Sequence, residues 1–97
     1  MSYNCIICNN KLAYISKSDM FNIFQCTNCD NELIYTFYNN KISTIQFVYL
    51  KYIIVVFKYS FQFYNDLSYV NSMSFKTGSF EKMIKMAIRT IDNLIFV

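Results

Sequence analysis

Four cysteines in the first third of the 97-residue chain constrain its fold more than any other feature of the sequence. They are Cys5, Cys8, Cys26 and Cys29, and their spacing is C-x2-C-x17-C-x2-C. Two residues between paired cysteines allow a tight turn that directs both sulfurs at one ion. The longer spacer is sufficient for a hairpin that brings the second pair to the other side of that ion. The spacing therefore predicts a tetrahedral metal site closed by four thiolates.

The residues that follow the two cysteine pairs are similar to each other. The two stretches read CIICNNKL and CTNCDNEL, and each has a leucine four positions after its second cysteine, Leu12 or Leu33. Over residues 5 to about 37 this pattern resembles the rubredoxin-like knuckles of the zinc-ribbon family, whose proline and glycine are absent here. The resemblance implies a structural zinc ion coordinated by all four cysteines. Where the family has glycine, residues that tolerate a positive φ are expected. The candidates are Asn9 or Asn10 in the first turn and Asp30 or Asn31 in the second.

Zinc is the ion that this pattern favours, and a single iron ion bound by the same cysteines is a less favoured alternative. Free or redox-active thiols are a third interpretation, but a thioredoxin-type site needs one pair that opens a helix after a strand. Iron–sulfur clusters use asymmetric ligand strings. A zinc ion held by four cysteines has no open coordination position and cannot activate a water molecule. The expected role of the ion is therefore structural.

Several kinds of catalysis are excluded by composition. The chain has no histidine, which excludes histidine-based acid–base catalysis, Ser-His-Asp and Cys-His nucleophiles and histidine–zinc hydrolysis. Gly78 is the single glycine, so there is no glycine-rich phosphate-binding loop. The six acidic residues are scattered, without a spacing that builds a site. We therefore expect a protein that is not an enzyme, and no small-molecule substrate is evident.

The abundance of Phe, Tyr, Asn, Ile and Lys, with a shortage of Gly, Pro, Ala and Arg, indicates an AT-rich genome such as that of a phage or a low-GC bacterium. With 55% apolar and 15% charged residues, the chain is expected to be folded. Its most apolar stretch, residues 47–57, is interrupted by Lys51 and is shorter than the roughly 20 residues that cross a bilayer. No secretory signal is visible near the N-terminus. We expect a cytoplasmic protein, in the host cytoplasm if it is phage-encoded, with no membrane partner.

Alternation of apolar and polar residues after the second cysteine pair predicts an antiparallel sheet. The predicted strands are Leu33–Tyr38, 41–50, 52–64 and 67–75. The pair Asn39-Asn40 suits a two-residue hairpin turn with positive φ at both positions. The other connections are a turn at Asn65-Asp66 and, near Leu50-Lys51, either a bend or a turn.

The phase of the alternation also predicts which side chains of the last two strands face the core. For strand 52–64 they are Ile53, Val55, Phe57, Tyr59, Phe61 and Phe63. For strand 67–75 they are Leu67, Tyr69, Met73 and Phe75.

The sequence changes to a helical period after Gly78. Ser79 is a suitable N-cap, and Glu81 lies in the first turn, where the helix dipole favours an anion. The apolar face of the helix consists of Phe80, Met83, Ile84, Ala87, Ile88, Ile91, Leu94 and Ile95. The helix is expected to close the core across one face of the sheet. The predicted fold class is therefore α+β. A zinc-ribbon module over residues 1–37 runs into an antiparallel sheet with a C-terminal helix over residues 38–97, in one continuous small domain.

Protein binding is the first functional hypothesis. A small domain with 20% aromatic and only 15% charged residues is expected to expose some apolar area, and such patches mark partner sites. An edge strand or the outer side of the sheet could receive another chain. An adaptor, an inhibitor of a host complex and a homodimer are all consistent with this hypothesis.

Nucleic-acid binding, linked to transcription or replication as for many zinc ribbons, is the alternative. The candidate residues are the cations of one helix face together with aromatic and basic residues of the predicted outer side of the sheet. They are Lys82, Lys85, Arg89, Tyr52, Lys58, Tyr64 and Lys76. Aromatic rings among cations can stack on bases while the cations neutralise phosphates. Four thiolates and one Zn²⁺ would lower the formal net charge from +3 to about +1, so little counterion release is expected.

Overall fold

Seven antiparallel strands and one helix make up the described part of the chain. The computed structural model describes residues 2–65 and 68–96. Its elements are β1 (Ala13–Ser18), β2 (Phe21–Cys26), β3 (Leu33–Tyr38), β4 (Lys41–Tyr49), β5 (Tyr52–Val56), β6 (Ser60–Asn65), β7 (Ser68–Ser74) and α1 (Phe80–Phe96). The strands lie side by side in chain order in a single sheet. The α+β class, with an antiparallel sheet and a C-terminal helix, is confirmed. The suggested division between residues 37 and 38 falls within β3 and stays a prediction.

Two-residue turns with positive φ at both positions connect β3 to β4 and β4 to β5. Asn39 and Asn40 have φ values of 50° and 63°, which confirms the predicted hairpin turn between β3 and β4. Leu50 and Lys51 have φ values of 48° and 75°, so the connection between β4 and β5 is also a turn rather than a bend. Leucine and lysine do not favour this conformation. The antiparallel pairing of the residues on either side of them requires it.

The prediction of a single strand over residues 52–64 is wrong. The chain turns at residues 57–59 and forms β5 and β6. This turn shifts the phase of the alternation, so Ile54 and Val56 are the buried residues of β5, while Phe61 and Phe63 are buried in β6 as expected. The segment before the turn is apolar on both sides, and its sequence therefore does not reveal which side faces the core. The predicted core residues that are only half-buried or exposed are Ile53, Val55, Phe57 and Tyr59.

The last strand, β7, lies at the edge of the sheet and is less buried than its alternation suggests. Met73 pairs with Phe61 of β6 but is 38% exposed, because an edge strand has a neighbour on one side only. Phe75, just after β7, is half-buried with its ring centroid 6.2 Å from that of Phe61. Outside the described part lie Asp66 of the predicted turn, Leu67 and the side chain of Tyr69.

The buried residues of the sheet all point to one side, which we call the inner face. Phe24 pairs with Tyr35 across β2 and β3, and Ile45 pairs with Val56 across β4 and β5, so one apolar layer runs through the sheet. The buried inner-face residues are Phe24, Cys26, Leu33, Tyr35, Phe37, Ile45, Phe47, Ile54, Val56, Phe61 and Phe63. The opposite side, which no helix covers in the described structure, is called the outer face.

Helix α1 packs on the inner face over β5 and β6. The Ser79 hydroxyl accepts a 3.2 Å hydrogen bond from the Lys82 N–H, which confirms the predicted N-cap. Near the other end, the Tyr49 hydroxyl donates a 2.6 Å hydrogen bond to Asp92. The residues that α1 buries are Met83, Ile84, Ala87 and Ile91. No helix among the described residues is long and apolar enough to cross a membrane.

Not all of the predicted apolar helix face is buried. Phe80 and Ile88 are half-buried and pack against the core. Leu94 was expected in the core but is 55% exposed. The last buried residue among the described side chains of α1 is Ile91. The side chain of Ile95 lies outside the described residues.

Candidate metal centre

The first cysteine pair lies in a small hairpin formed by residues 3–12, which we call the first cysteine loop. Asn4 and Lys11 form an isolated antiparallel bridge at its base. The Cys5 N–H donates to the Asn10 carbonyl at 2.8 Å, and the Asn9 N–H donates to the Cys5 carbonyl at 2.9 Å. Asn9 has a φ of 62°, as predicted for a residue that stands in for glycine. The tight turn directs both sulfurs of the pair to the same side.

Aromatic contacts hold the first cysteine loop on the inner face of β2 and β3. The Tyr3 ring stacks on Phe37 with a centroid distance of 3.9 Å and meets the edge of Phe24 at 5.0 Å. The Tyr3 hydroxyl donates a 2.8 Å hydrogen bond to the side chain of Asn40. Leu12, at the end of the loop, is 3% exposed. The leucine that follows the first cysteine pair is therefore a core residue that fixes the loop on the sheet.

The second cysteine pair belongs to the connection between β2 and β3. Cys26 is the last residue of β2 and pairs with Leu33, the first residue of β3. Neither Asp30 nor Asn31 has a positive φ, so that expectation is wrong for the second turn. The backbone N–H groups of Asn28 and Cys29 instead act as donors to the Cys26 sulfur that lower its pKa against the larger effect of burial. The loop thus directs amides at sulfur without a residue in the left-handed conformation.

The four Sγ atoms form a cluster in which all lie within 4.8 Å of one another. The Cys5–Cys29 distance is 3.7 Å, Cys8–Cys26 is 3.5 Å and Cys26–Cys29 is 3.7 Å. A sulfur tetrahedron around an ion with metal–sulfur bonds of about 2.3 Å has edges of about 3.8 Å. A disulfide would need a sulfur–sulfur distance of about 2.05 Å. The donor atoms therefore fit a single tetrahedral ion, and the β1–β2 hairpin brings the two pairs together as the spacing predicted.

The thiols of the cluster differ in their electrostatic surroundings. Hydrogen bonds from the backbone and side chain of Asn10 lower the pKa of Cys8 to about 6. Burial raises the pKa of Cys26 and of Cys29, and hydrogen bonds with neighbouring sulfurs contribute to the increase at Cys29. Four thiolates this close repel one another unless a cation neutralises them. The cluster can therefore hold a metal ion, and binding that ion requires protons to leave the buried thiols.

Tyr35 of β3 is a member of the site that the sequence did not predict. Its hydroxyl lies 3.1 Å from the Cys5 sulfur and accepts a 3.1 Å hydrogen bond from the Ile6 N–H. The Ile7 N–H donates to the same sulfur at 3.4 Å. The sequence carried one indication of this role, because Tyr35 lies between two apolar core positions of β3. A tyrosine buried there needs a polar partner for its hydroxyl.

The structure brings together only part of the candidate nucleic-acid surface. Lys82, Lys85 and Arg89 are exposed on one side of α1, where they line a shallow depression, and Lys85 forms a 3.1 Å ion pair with Glu81. Their proposed binding role is not tested by this arrangement.

The other four candidates come from the sheet and the segments beside it. Tyr52 was expected on the outer side of the sheet, but its ring packs on the inner face, 5.9 Å from the Phe63 ring, because β5 has the opposite phase. Lys58 lies in the turn after β5, with its ammonium 5.4 Å from the centre of the Tyr59 ring. The last two are Tyr64, on the outer face, and Lys76, exposed after β7.

Comparisons with protein-family models, with curated proteins and with solved structures give no match to this chain. The class of the protein is therefore defined by its own geometry. It is a small α+β domain in which two loops at one end of an antiparallel sheet bring four cysteines together as a candidate metal-ion site.

Proposed function

We propose that the four cysteines hold a structural zinc ion in a zinc-ribbon-like module and that the domain is a non-enzymatic protein-interaction module, an adaptor or an inhibitor. Its partner is a protein with an apolar, uncharged surface that docks on the outer face of the sheet. The observation that carries this proposal is the composition of the outer face.

The zinc assignment is supported by the donor set. All four donor atoms are sulfur, and their separations are those of a closed tetrahedral site, which is the coordination of structural zinc. When bound, the ion supplies a link between the two cysteine loops and no reactive water. A single iron ion uses the same ligands and is the alternative. Elemental analysis of the purified protein distinguishes the two ions, and a preparation with neither ion, despite available metal, would contradict the metal-site proposal.

The outer face is supported as a docking surface by its lack of charge. Its side chains come from β2 to β6 and alternate with the buried residues. They are Ile23, Gln25, Ile34, Thr36, Thr44, Gln46, Val48, Ile53, Val55, Gln62 and Tyr64. Val48, at the centre, is 59% exposed and pairs with Ile53. The charges lie at the rim, where Lys41 pairs with Tyr38, and Asp30 and Glu32 border the face beside Ile34, Gln46 and Val48.

The size and chemistry of the outer face favour an uncharged partner. Five strands about 4.8 Å apart, each with about five residues at 3.4 Å per residue, give a face of about 400 Å². Six of the eleven side chains are apolar or aromatic and the other five are neutral polar residues, and an exposed patch of this size on a small protein is often functional. At the centre of this face a charged partner group would lose its hydration with no opposite charge beside it, which costs free energy, whereas charges at its rim could pair with Lys41, Asp30 or Glu32. A partner with an apolar surface has no such cost.

The test compares Val48→Glu with Val70→Glu. Val70 is 42% exposed on the edge strand β7, so both substitutions add the same charge at an exposed valine in a strand. A photo-crosslinking amino acid in place of Gln46 on the outer face identifies the partner in a lysate of the source organism, and binding is then measured with the purified partner. We expect V48E to weaken that binding at least tenfold and V70E to leave it unchanged.

Sedimentation of the purified protein shows whether the partner is a second copy of this chain. A dimer that dissociates in V48E, but not in V70E, identifies the outer face as a self-association surface. Partner binding that is equal in V48E and the wild type, or crosslinks that form equally well from an exposed position on α1, would contradict docking on the outer face.

Nucleic-acid binding through the exposed side of α1 is the second candidate. Lys82 and Arg89 support it, because they lie together on that side and the only ion pair among the described residues uses Lys85. A salt titration of binding to single-stranded and duplex DNA tests it. Salt-sensitive binding that is lost on K82Q/R89Q would favour this function, and an absence of binding at low salt would contradict it.

A further inference from the structure

The hydroxyl of Tyr35 is buried next to one of the four candidate metal ligands. The Tyr35 side chain is 0% exposed, and its oxygen lies 3.1 Å from the sulfur of Cys5, a residue that is itself 2% exposed. The phenyl ring belongs to the apolar layer of the inner face, where it stacks near Phe37 with a centroid distance of 6.1 Å. A phenylalanine would fill the same space in that layer. The hydroxyl is therefore not explained by packing.

The direction of the hydrogen bond follows from the neighbours of the hydroxyl. The backbone N–H of Ile6 donates to the Tyr35 oxygen at 3.1 Å, and this group can only donate. The single hydrogen of the phenol is therefore available for Cys5. A metal-bound thiolate has no hydrogen of its own and can only accept. We propose that Tyr35 is a positioning residue of the metal centre that donates a hydrogen bond to the Cys5 thiolate and thereby limits the negative charge that this sulfur gives to the ion. This inference rests on the proposed metal site.

Among the four ligands, Cys5 is distinguished by this donor. Its sulfur receives the phenolic O–H and the Ile7 N–H, which lies at 3.4 Å. The donors at Cys8 are the backbone and side chain of Asn10, and those at Cys26 are backbone amides. The phenol is supplied by β3, so it links the first cysteine loop to the sheet through the ligand itself. Such outer contacts orient metal ligands and adjust their donor strength.

Co²⁺ and iron report on the charge of their sulfur ligands, through a charge-transfer band and a reduction potential respectively. A hydrogen bond stabilises the lone pairs of the thiolate, so more energy is needed to transfer an electron from sulfur to Co²⁺. In the iron-loaded protein the same bond offsets negative charge near the ion and favours the ferrous state. Removal of the bond is therefore expected to move the sulfur-to-cobalt charge-transfer band to longer wavelength and the iron reduction potential to a more negative value.

The test uses Tyr35→Phe with Tyr3→Phe as a matched control. Tyr3 also lies between the first cysteine loop and the sheet, but its hydroxyl donates to Asn40 rather than to sulfur. The full-length proteins are loaded with Co²⁺, iron or Zn²⁺, and metal content, the charge-transfer spectrum, the reduction potential and zinc affinity against a competing chelator are measured. For Y35F we expect one ion per chain, both shifts described above and a loss of about tenfold in zinc affinity. We expect Y3F to retain the spectrum and the potential of the wild type.

Each alternative outcome has a separate meaning. If the wild type binds none of the three metals, the proposed metal site and this inference both fail. If Y35F binds metal with the spectrum and potential of the wild type, the inference alone is overturned. If Y35F does not fold, 3-fluorotyrosine at position 35 replaces it, because this residue keeps the shape of tyrosine and is a stronger hydrogen-bond donor. It should move the cobalt band to shorter wavelength, and an unchanged band would overturn the inference.

Discussion

The inner face of the sheet is covered at its two ends in different ways. Over β5 and β6 it is covered by the 17-residue helix α1, which contributes four buried side chains ending with Ile91. Over β2 and β3 the inner face is covered by the first cysteine loop. The buried residues of this loop are Cys5 and Leu12, and the Tyr3 ring stacks on Phe37. The helix is held by apolar contact along its length. The loop is held by fewer apolar contacts, those of Tyr3 and Leu12, and its other buried residue is a cysteine of the sulfur cluster.

The difference indicates what each end needs in order to fold. A helix that buries an apolar stripe gains most of its stability from that contact. A short loop that places thiolate next to thiolate is stabilised by a cation, because four thiolates in one cluster repel one another, and binding of the ion links the two cysteine loops. The two ends should therefore respond differently to loss of metal, to core substitutions and to pH.

Metal removal is expected to have the largest effect and to act on the cysteine end. In small zinc peptides metal binding is worth about 10 kcal/mol of folding free energy, which is more than a single core contact supplies. Treatment with a chelator, or the substitution Cys26→Ser, should remove hydrogen-exchange protection from residues 3–37 while the amides of α1 stay protected. Thr27→Ser, at the exposed neighbouring position, is the control and should behave as the wild type. Simultaneous loss of protection in α1 would mean that both ends depend on the ion.

Core substitutions in α1 are expected to have the next largest effect and to leave the metal centre intact. Ile91→Ala should lower the free energy of unfolding by about 2–5 kcal/mol, because Ile91 is 0% exposed and its removal leaves a cavity. Leu94→Ala, at a position that is 55% exposed, should cost less than about 0.5 kcal/mol. Urea denaturation of the metal-loaded proteins measures both values. Equal losses of unfolding free energy in the two variants would contradict the core role of Ile91. Weaker zinc binding by folded I91A would contradict the independence of the two ends.

The pH dependence of metal binding is expected to be smaller than the effect of metal loss, comparable over one pH unit with a core substitution, and confined to the cysteine end. Burial raises the pKa of Cys26 and of Cys29, so both hold protons at neutral pH that binding must release. Cys8 has a pKa of about 6 and adds a proton to this count only below that pH. Zinc affinity should therefore rise with pH by about 1.4 kcal/mol per pH unit for each proton released, and more steeply below pH 6. Calorimetry in buffers with different ionisation enthalpies counts these protons, and a count of zero at pH 7 would contradict the assignment.

Features with a strong local cause could be predicted from the sequence. Asn39 and Asn40 tolerate positive φ, and they form the expected turn. Ser79 is one of the few residues that cap a helix well, and its hydroxyl does so. The cysteine spacing restricts the chain so strongly that the sulfur cluster follows from it once a hairpin forms between the pairs.

Features determined by tertiary contacts could not be predicted in the same way. The run from Tyr52 to Phe57 is apolar on both faces, so its phase depends on which side α1 covers. The turn at Leu50 and Lys51 is imposed by strand pairing against the preference of both residues. The role of Tyr35 depends on a loop about thirty residues earlier in the chain, and its place between two core positions of β3 does not identify Cys5 as its partner.

The order of the strands has a consequence for how the chain folds. Each strand pairs with the one that precedes it in the sequence, so the sheet can grow by the addition of successive hairpins, with little loop-closure entropy at each step. The described groups that hydrogen-bond to the cysteine sulfurs are Tyr35 and backbone or side-chain groups of the two cysteine loops, and all of them precede β4 in the chain. During synthesis on the ribosome, the metal centre can therefore assemble before the segment that forms the helix has emerged.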